Sequence, residues 1–257
     1  MDLGIAGKFA LVTGGSRGIG KQSALALAGE GVNVSICGRT QETLDVAVKE
    51  ISSLGVKSFG FICDVSDSSQ VQGLYDSATS QMGTVDILVN NVGGSLSRAD
   101  ILGTNLADFK GTFDINLFGG FELMRLVIPN MQKRKWGRII NIASIWGREN
   151  GGNISYMSAK AALIAATKHT AVSLAKDGVL VNSIAPGSIE HSGGSWERFQ
   201  KDNPPEVVND FIKQNLPMGK FGWPQPVGDL VAFLASVRAG LITGSSIVID
   251  GGQSHFI

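Results

Sequence analysis

The sequence predicts an α/β fold, a single domain built on a doubly wound, seven-stranded parallel sheet with helices on both faces. Three observations carry that prediction. Short apolar runs alternate with helical patterns along the whole chain. A glycine-rich loop joins the first apolar run to the first helical pattern. The length of 257 residues, 43% of them hydrophobic, suits one domain with a sizeable core. No linker, repeat or low-complexity stretch interrupts residues 1–257, which read as one domain.

Phe9-Ala10-Leu11-Val12 is the first strand, and the helix after the glycine loop runs to about Glu30, where Gly31 stops it. Val32–Cys37 alternates as a second strand. Thr40 caps a helix whose apolar face holds Leu44, Val48 and Ile51. Phe59–Cys63 is a third strand, and Ser66 or Asp67 caps a helix through Val71, Leu74 and Ala78. Asp86–Val89 is short and wholly apolar after its first residue, as a strand buried on both faces should be. The next helix carries Phe113, Leu117, Phe121 and Leu126, and Pro129 is expected to break it. Arg138–Ile142 is a fifth strand, Tyr156 to about Lys176 a long helix, and Val179–Ile184 a sixth strand. Residues 188–223 read as irregular, with one helical piece near Val207–Gln214. A helix over Val227–Val237 and a strand over Ser246–Ile249 complete the alternation.

Lys plus Arg and Asp plus Glu number 22 each, so the net charge is zero. That balance points away from a nucleic-acid partner. Cys37 and Cys63 lack metal-ligand spacing and read as buried free thiols of a reducing compartment, and no metal site is expected. The start of the chain lacks the pattern of a secretion signal, and no apolar run reaches about eighteen residues. A cytoplasmic protein without membrane contact is the expectation.

Thr13-Gly14-Gly15-Ser16-Arg17-Gly18-Ile19-Gly20 follows a strand and opens a helix, an arrangement that sets backbone amides and a helix N-terminus against a phosphate. Its spacing, Gly14-x-x-x-Gly18-x-Gly20, differs from the general G-x-G-x-x-G. Tyr156 and Lys160 stand one helical turn apart on one face. A phenol is a poor acid or base at neutral pH, and a nearby ammonium that stabilises its anion makes it a usable one. Ser144 follows the strand Ile139–Ile142, at the edge where parallel sheets hold ligands. Asn116 lies in an apolar helical pattern just before Gly119-Gly120. That combination costs helix stability and points to a functional interruption.

In order and at these spacings, the chain resembles the short-chain dehydrogenase/reductase family from end to end. The likeness rests on Thr13–Gly20, Cys63-Asp64-Val65, Asn90-Asn91-Val92-Gly93 and the set Asn116, Ser144, Tyr156 and Lys160. Pro186-Gly187, Thr243-Gly244 and Asp250-Gly251-Gly252 complete it. The resemblance implies a Rossmann fold and hydride transfer between a nicotinamide and a carbonyl or alcohol. It makes Tyr156 the acid in reduction. Lys160 would lower that phenol's pKa and hold the nicotinamide ribose. Ser144 would bond the substrate oxygen, and Asn116 a proton-relaying water. It places Gly14, Ser16, Arg17, Gly18, Ile19, Gly20, Arg39, Asp64, Val65, Asn91, Gly93, Pro186, Gly187 and Ile189 around the cofactor. Asp64 and Val65 face the adenine, Asn91 the adenosine-side ribose and Ile189 the nicotinamide amide. Two departures stand out: Val92 replaces the usual Ala, and Ser144 and Tyr156 are one residue closer than in most members.

An NAD-selective enzyme of this kind has an acid at the end of its second strand. Here Gly38 and Arg39 stand there, with Arg17 in the loop, so NADPH/NADP+ is expected over NADH. The expected function is NADPH-dependent reduction of a small ketone, or oxidation of an alcohol. The alternative is reduction of a 3-oxoacyl thioester on an acyl carrier protein, for which Lys133-Arg134-Lys135 with Arg138 would be a basic docking patch. A non-catalytic NADP-binding regulator and a methyltransferase fit less well, because neither needs the Ser144, Tyr156 and Lys160 set. Residues 188–223 are expected to form a substrate lid, with Trp146 and Trp196 flanking the cleft. The apolar helices around Phe113–Val127 and Ala161–Leu174 suggest a homotetramer.

Overall fold

Seven strands hydrogen-bond in the order β3-β2-β1-β4-β5-β6-β7, every pair parallel. They are β1 Phe9–Thr13, β2 Asn33–Gly38, β3 Ser58–Ile62, β4 Ile87–Asn90, β5 Gly137–Ile142, β6 Val179–Pro186 and β7 Ser246–Ile249. These belong to a computed structural model that describes residues 2–256. The central strands β1, β4, β5 and β6 are buried along their whole length, which is why they read as unbroken apolar runs. Helices α1 (Gly18–Gly29), α2 (Gln41–Ser52) and α9 (Pro224–Ala235) cover one face of the sheet. Helices α3 (Ser68–Met82), α5 (Gly119–Arg134) and α6 (Ile154–Leu174) cover the other, so two apolar cores sandwich the sheet. Because every strand runs the same way, the loops after β1, β2, β3, β4, β5 and β6 all open at one edge. The chain order reverses between β1 and β4, the place where such sheets bind ligands.

Two departures from the sequence reading concern helices. A helix α4 (Leu106–Phe113) runs through a π-helical turn, Asp114–Phe118, straight into α5, and Pro129 sits inside α5 without breaking it. Leu123, Met124, Val127 and Met131 are buried against the sheet, and this packing outweighs the one backbone donor that proline removes. Residues 188–223 are not irregular around one helical piece. They carry α7 (Ser195–Asp202) and α8 (Pro205–Asn215), with a small core of their own made by Trp196, Phe199, Phe211 and Phe221. The Trp196 ring lies 4.9–5.6 Å from its three aromatic neighbours. Trp196 therefore builds the segment's interior.

The basic turn lies at the opposite edge from the ligand-binding loops. Arg134 pairs with Asp86, whose other oxygen accepts the Phe9 amide, and Lys135 pairs with Asp177. Arg138 is buried over the Trp136 ring at 4.6 Å, with Lys8 at 4.3 Å from the same ring. Burial brings its pKa down to about 10. Of the four residues expected to form a docking patch near the cleft, three hold the fold together, and the patch is a full strand length from Ser144. A residue that precedes a parallel strand faces the edge away from one that follows it.

Candidate active site

Thr13 ends β1, and its hydroxyl accepts the backbone amides of Asn91 (2.9 Å) and Val92 (3.2 Å) from the loop after β4. Asn91 returns the link, its side-chain amide donating to the carbonyls of Thr13 (2.9 Å) and Gly14 (3.3 Å). The two loops at the reversal point are thus sewn together, and the Asn91 side chain is engaged in bracing the glycine turn. Gly14 has φ +61°, which only glycine adopts without strain. At Gly20 a side chain would strike the Gly14 carbonyl and the Asn91 amide. Helix α1 begins here with no side-chain cap and no acid in its first turn, although its first amides need acceptors. An anion fits that end.

Ser16, Arg17, Gly38 and Arg39 gather beside this turn. A side chain at Gly38 would come within 3.3 Å of the Ser16 hydroxyl. Arg17 is exposed, and Arg39, 73% exposed, makes only a long 3.7 Å pair with Asp64. Two cations with spare donors around a glycine fit a phosphate on the adenosine ribose. Asp64 bonds the amide and hydroxyl of Ser66 (3.0 and 2.6 Å), and those bonds, with Arg39, hold its carboxyl below the usual range. Val65 turns its side chain into the core, and its carbonyl abuts Gly119, where any side chain would collide.

The reactive set converges at the ends of β4 and β5. The π-turn brings the buried Asn116 side chain inward, where its amide donates to the carbonyls of Gly94 (2.6 Å) and Thr112 (2.7 Å). Its Oδ1 accepts the Gly94 amide at 3.2 Å. A side chain at Gly93 would touch both that oxygen, at 3.1 Å, and Lys160 Nζ, at 3.0 Å, so Gly93 lets the two groups approach. Lys160 is 2% exposed and donates to the Ile142 carbonyl at 2.8 Å. Burial, with no carboxylate to offset it, brings its pKa down to about 7. Its Nζ lies 5.6 Å from the centre of the Tyr156 ring. Ser144 Oγ accepts the Trp146 amide at 3.2 Å and hydrogen-bonds Tyr156. The Tyr156 phenol is pushed up by burial more than that bond pulls it down. Asn153 caps α6 by accepting the Tyr156 amide at 3.0 Å, so the shortened Ser144–Tyr156 connection still delivers both side chains to one place.

Pro186 ends β6, and the turn Gly187-Ser188-Ile189 is clamped by Gln253, which accepts the Ser188 amide (2.7 Å) and donates to its hydroxyl (2.9 Å). Ile189 bridges Gly222, tying the base of the 188–223 segment. The Trp146 indole lies against Gly151 and Gly152 and lines a cavity of about 280 Å³ with Glu149, Asn215 and Gln253. Sequence reasoning gave Thr13 no role of its own and missed the buried chain Asn90–Asn141–Thr167 (2.9 and 2.8 Å) that stiffens the floor. The signal was present: Asn141 is the one polar residue within the apolar stretch Ile139–Ile142.

A family model described as enoyl-(acyl carrier protein) reductase matches residues 14–254. The chain is 36% identical over 253 residues to the 3-oxoacyl-(acyl-carrier-protein) reductase FabG of Staphylococcus aureus, covering 96% of this chain and 98% of the relative. Its fold superposes on L-sorbose reductase of Gluconobacter frateurii, solved with NADPH and L-sorbose, with a TM-score of 0.90 or better (0.93), 30% identity and full coverage of both chains. A 7α-hydroxysteroid dehydrogenase solved with NADH and a 7-oxo bile acid superposes with a TM-score of 0.89 at 32% identity, over 98% of this chain and 97% of that one.

Proposed function

Since this chain belongs to the short-chain dehydrogenase/reductase family, whose oxidoreductases move a hydride between a nicotinamide and a ketone or secondary alcohol, we propose that it is an NADPH-dependent ketone reductase using Tyr156 as its acid. The observation that carries this reading is the meeting of the buried Ser144 and Lys160 with the half-buried Tyr156 at the sheet edge that also holds the uncapped start of α1. When bound, the nicotinamide supplies the hydride. Ser144 Oγ accepts from Trp146 and bonds Tyr156, and its bond to the phenol would be exchanged for one donated to a substrate oxygen. Tyr156, held protonated by burial, suits proton donation to the alkoxide that reduction creates. Lys160, charged below about pH 7, stabilises the phenolate left behind, and through Gly93 it adjoins Asn116 on the proton-supply side.

Ser16, Arg17 and Arg39 would grip the 2′-phosphate, with Asp64 and Val65 beside the adenine and Gly18, Ile19 and Gly20 under the pyrophosphate. Asn91 would face the adenosine-side ribose, and Gly93, Pro186, Gly187 and Ile189 would surround the nicotinamide half. Residues 1–257 act as one unit, with 188–223 as the lid over substrate. We place the enzyme in the cytoplasm; no described helix is long and apolar enough to cross a membrane. Phe118, Phe121 and Val172, exposed by 48%, 45% and 69% on helical surfaces, support assembly as a homotetramer.

For substrate, a free ketone or alcohol of small to medium size fits best. The basic turn that would have received an acidic carrier protein is paired and faces the other edge. The second reading, a carrier-bound 3-oxoacyl thioester, is favoured by the FabG likeness. NADPH oxidation with a panel of free ketones, ketoses and 3-oxoacyl thioesters tests both. Turnover of free ketones or ketoses at least as efficient as that of any thioester supports the first. Strong turnover confined to carrier-bound thioesters establishes the second, and no oxidation with any of them contradicts the catalytic assignment.

A further inference from the structure

His191 lies in the lid, two residues after Ile189, yet its imidazole rests on the phosphate-binding turn. A side chain at Gly18, the first residue of α1, would lie 2.7 Å from His191 Nε2 and 2.8 Å from both neighbouring ring carbons. The following lid residues press on the same turn: a side chain at Gly193 would lie 2.7 Å from Arg17 Nη1. His191 Nδ1 stands 3.0 Å from the Ser192 carbonyl. A carbonyl only accepts, so Nδ1 carries a proton. A neutral ring in that tautomer turns the lone pair of Nε2 towards the opening of α1. A doubly protonated ring turns a charged N–H there. An anion is repelled by the first and bound by the second.

The charged groups around this ring come from three elements. Arg17 stands on the glycine loop and Glu190 beside His191 in the chain. From α7 come Arg198, which donates to the Gly193 carbonyl at 2.9 Å, and Glu197, which accepts the Gly193 amide at 2.8 Å and pairs with Lys201 at 3.1 Å. Glu197 is already bonded twice, and Arg17 and Arg198 bring positive charge to the same place. A bound phosphate between Arg17 and His191 would favour the imidazolium.

We propose that His191 is a lid-borne ligand of the cofactor's pyrophosphate that acts only as the imidazolium, so that capturing the dinucleotide takes up a proton. The inference rests on the reading of Thr13–Gly20 as the phosphate seat. It makes the lid respond to the cofactor and not only to the substrate, because the ring that touches the phosphates is carried by the segment that covers the site. Cofactor affinity then falls as pH rises through the range in which an imidazole loses its charge, and a neutral donor at the same position removes that dependence.

Calorimetric titration of NADPH into wild type, His191→Gln and His191→Ala, at about pH 6 and about pH 8 in buffers of differing ionisation heat, counts the protons taken up. In wild type the uptake near pH 8 should exceed that of both variants by a substantial fraction of one proton. The rise in Kd between the two pH values should be larger in wild type by about tenfold. Titration of the 2′-phosphate and of Lys160 is common to all three proteins and cancels in the comparison. His191→Gln guards against a structural artefact, since it keeps a neutral donor and should bind at both pH values. Equal proton uptake and equal pH dependence in the three proteins overturns the role of His191. Failure of all three to bind NADPH at either pH overturns the dinucleotide reading itself.

Discussion

Basic residues crowd both edges of the sheet, and they behave in opposite ways. At the edge where the strands begin, Arg134 and Lys135 are neutralised by Asp86 and Asp177, and Arg138 is stacked on Trp136 inside the fold. At the edge where the strands end, Arg17 and Arg39 stand exposed with at most a long contact to an acid, and Lys160 is buried with only a carbonyl for partner. The sequence offers similar cations in both places. A cation whose charge the fold has answered is a structural element. One left unanswered, in a cleft lined by backbone amides, is available to a ligand.

The largest way to sharpen this contrast is at Tyr156. Tyr156→Phe removes the proton donor while leaving the ring, and turnover should fall by about 10²–10⁴ with NADPH binding nearly intact. Turnover and the Kd for NADPH, measured together, check it; a variant that kept most of its activity would reassign the acid. Next in size is cofactor choice. Gly38→Asp with Arg39→Leu places an acid beside Ser16 and removes a cation. Charge-assisted bonds contribute roughly 1.5–3 kcal/mol each, so the ratio of kcat/KM for NADPH over NADH should fall by about tenfold or more and reverse or vanish.

Lys160 ties the catalytic edge to stability. Its value in the folded chain, about 7, lies below the ordinary 10.5. Between those values the unfolded chain holds a proton that the folded chain has released. Stability contributed by this group therefore rises with pH from about 7 to about 10.5 and is lowest, by up to roughly 5 kcal/mol, below that window. Urea unfolding of the protein without cofactor should show that slope in wild type and lose it in Lys160→Met. For reduction the sign is the reverse: kcat/KM should decline as pH rises through about 7, because the ammonium that stabilises the phenolate is lost. The smallest effect belongs to the other edge. Asp86→Asn strips Arg134 of its partner and should cost about 1–3 kcal/mol in urea unfolding while leaving NADPH affinity unchanged.

Most of the sheet was legible because each central strand is buried on both faces and so reads as a bare apolar run between glycines. That Ser144, Tyr156 and Lys160 would come together was legible as well, because their places follow directly from where β5 ends and α6 begins. What escaped depends on contacts between distant residues. Ser195–Asp202 looks like loop because it is mostly polar, and it is helical because Trp196 and Phe199 find Phe211 and Phe221 further along. Pro129 looks like a break, and packing on the sheet overrides it. The interruption signalled by Asn116 was visible, but not that it would be a π-turn. The basic turn was misplaced for a different reason. Its position before β5, not after it, already assigned it to the edge away from the site.

The central claim is that unanswered cations bind the cofactor and answered ones build the fold. Titrating NADPH into Arg17→Ala/Arg39→Ala and into Arg134→Ala/Lys135→Ala, with urea unfolding of both, tests it most directly. The first variant should lose affinity by tenfold or more, roughly one charge-assisted bond, at near-normal stability; the second should lose stability at normal affinity. Equal loss of NADPH affinity in both variants, or a loss only in the second, would contradict it.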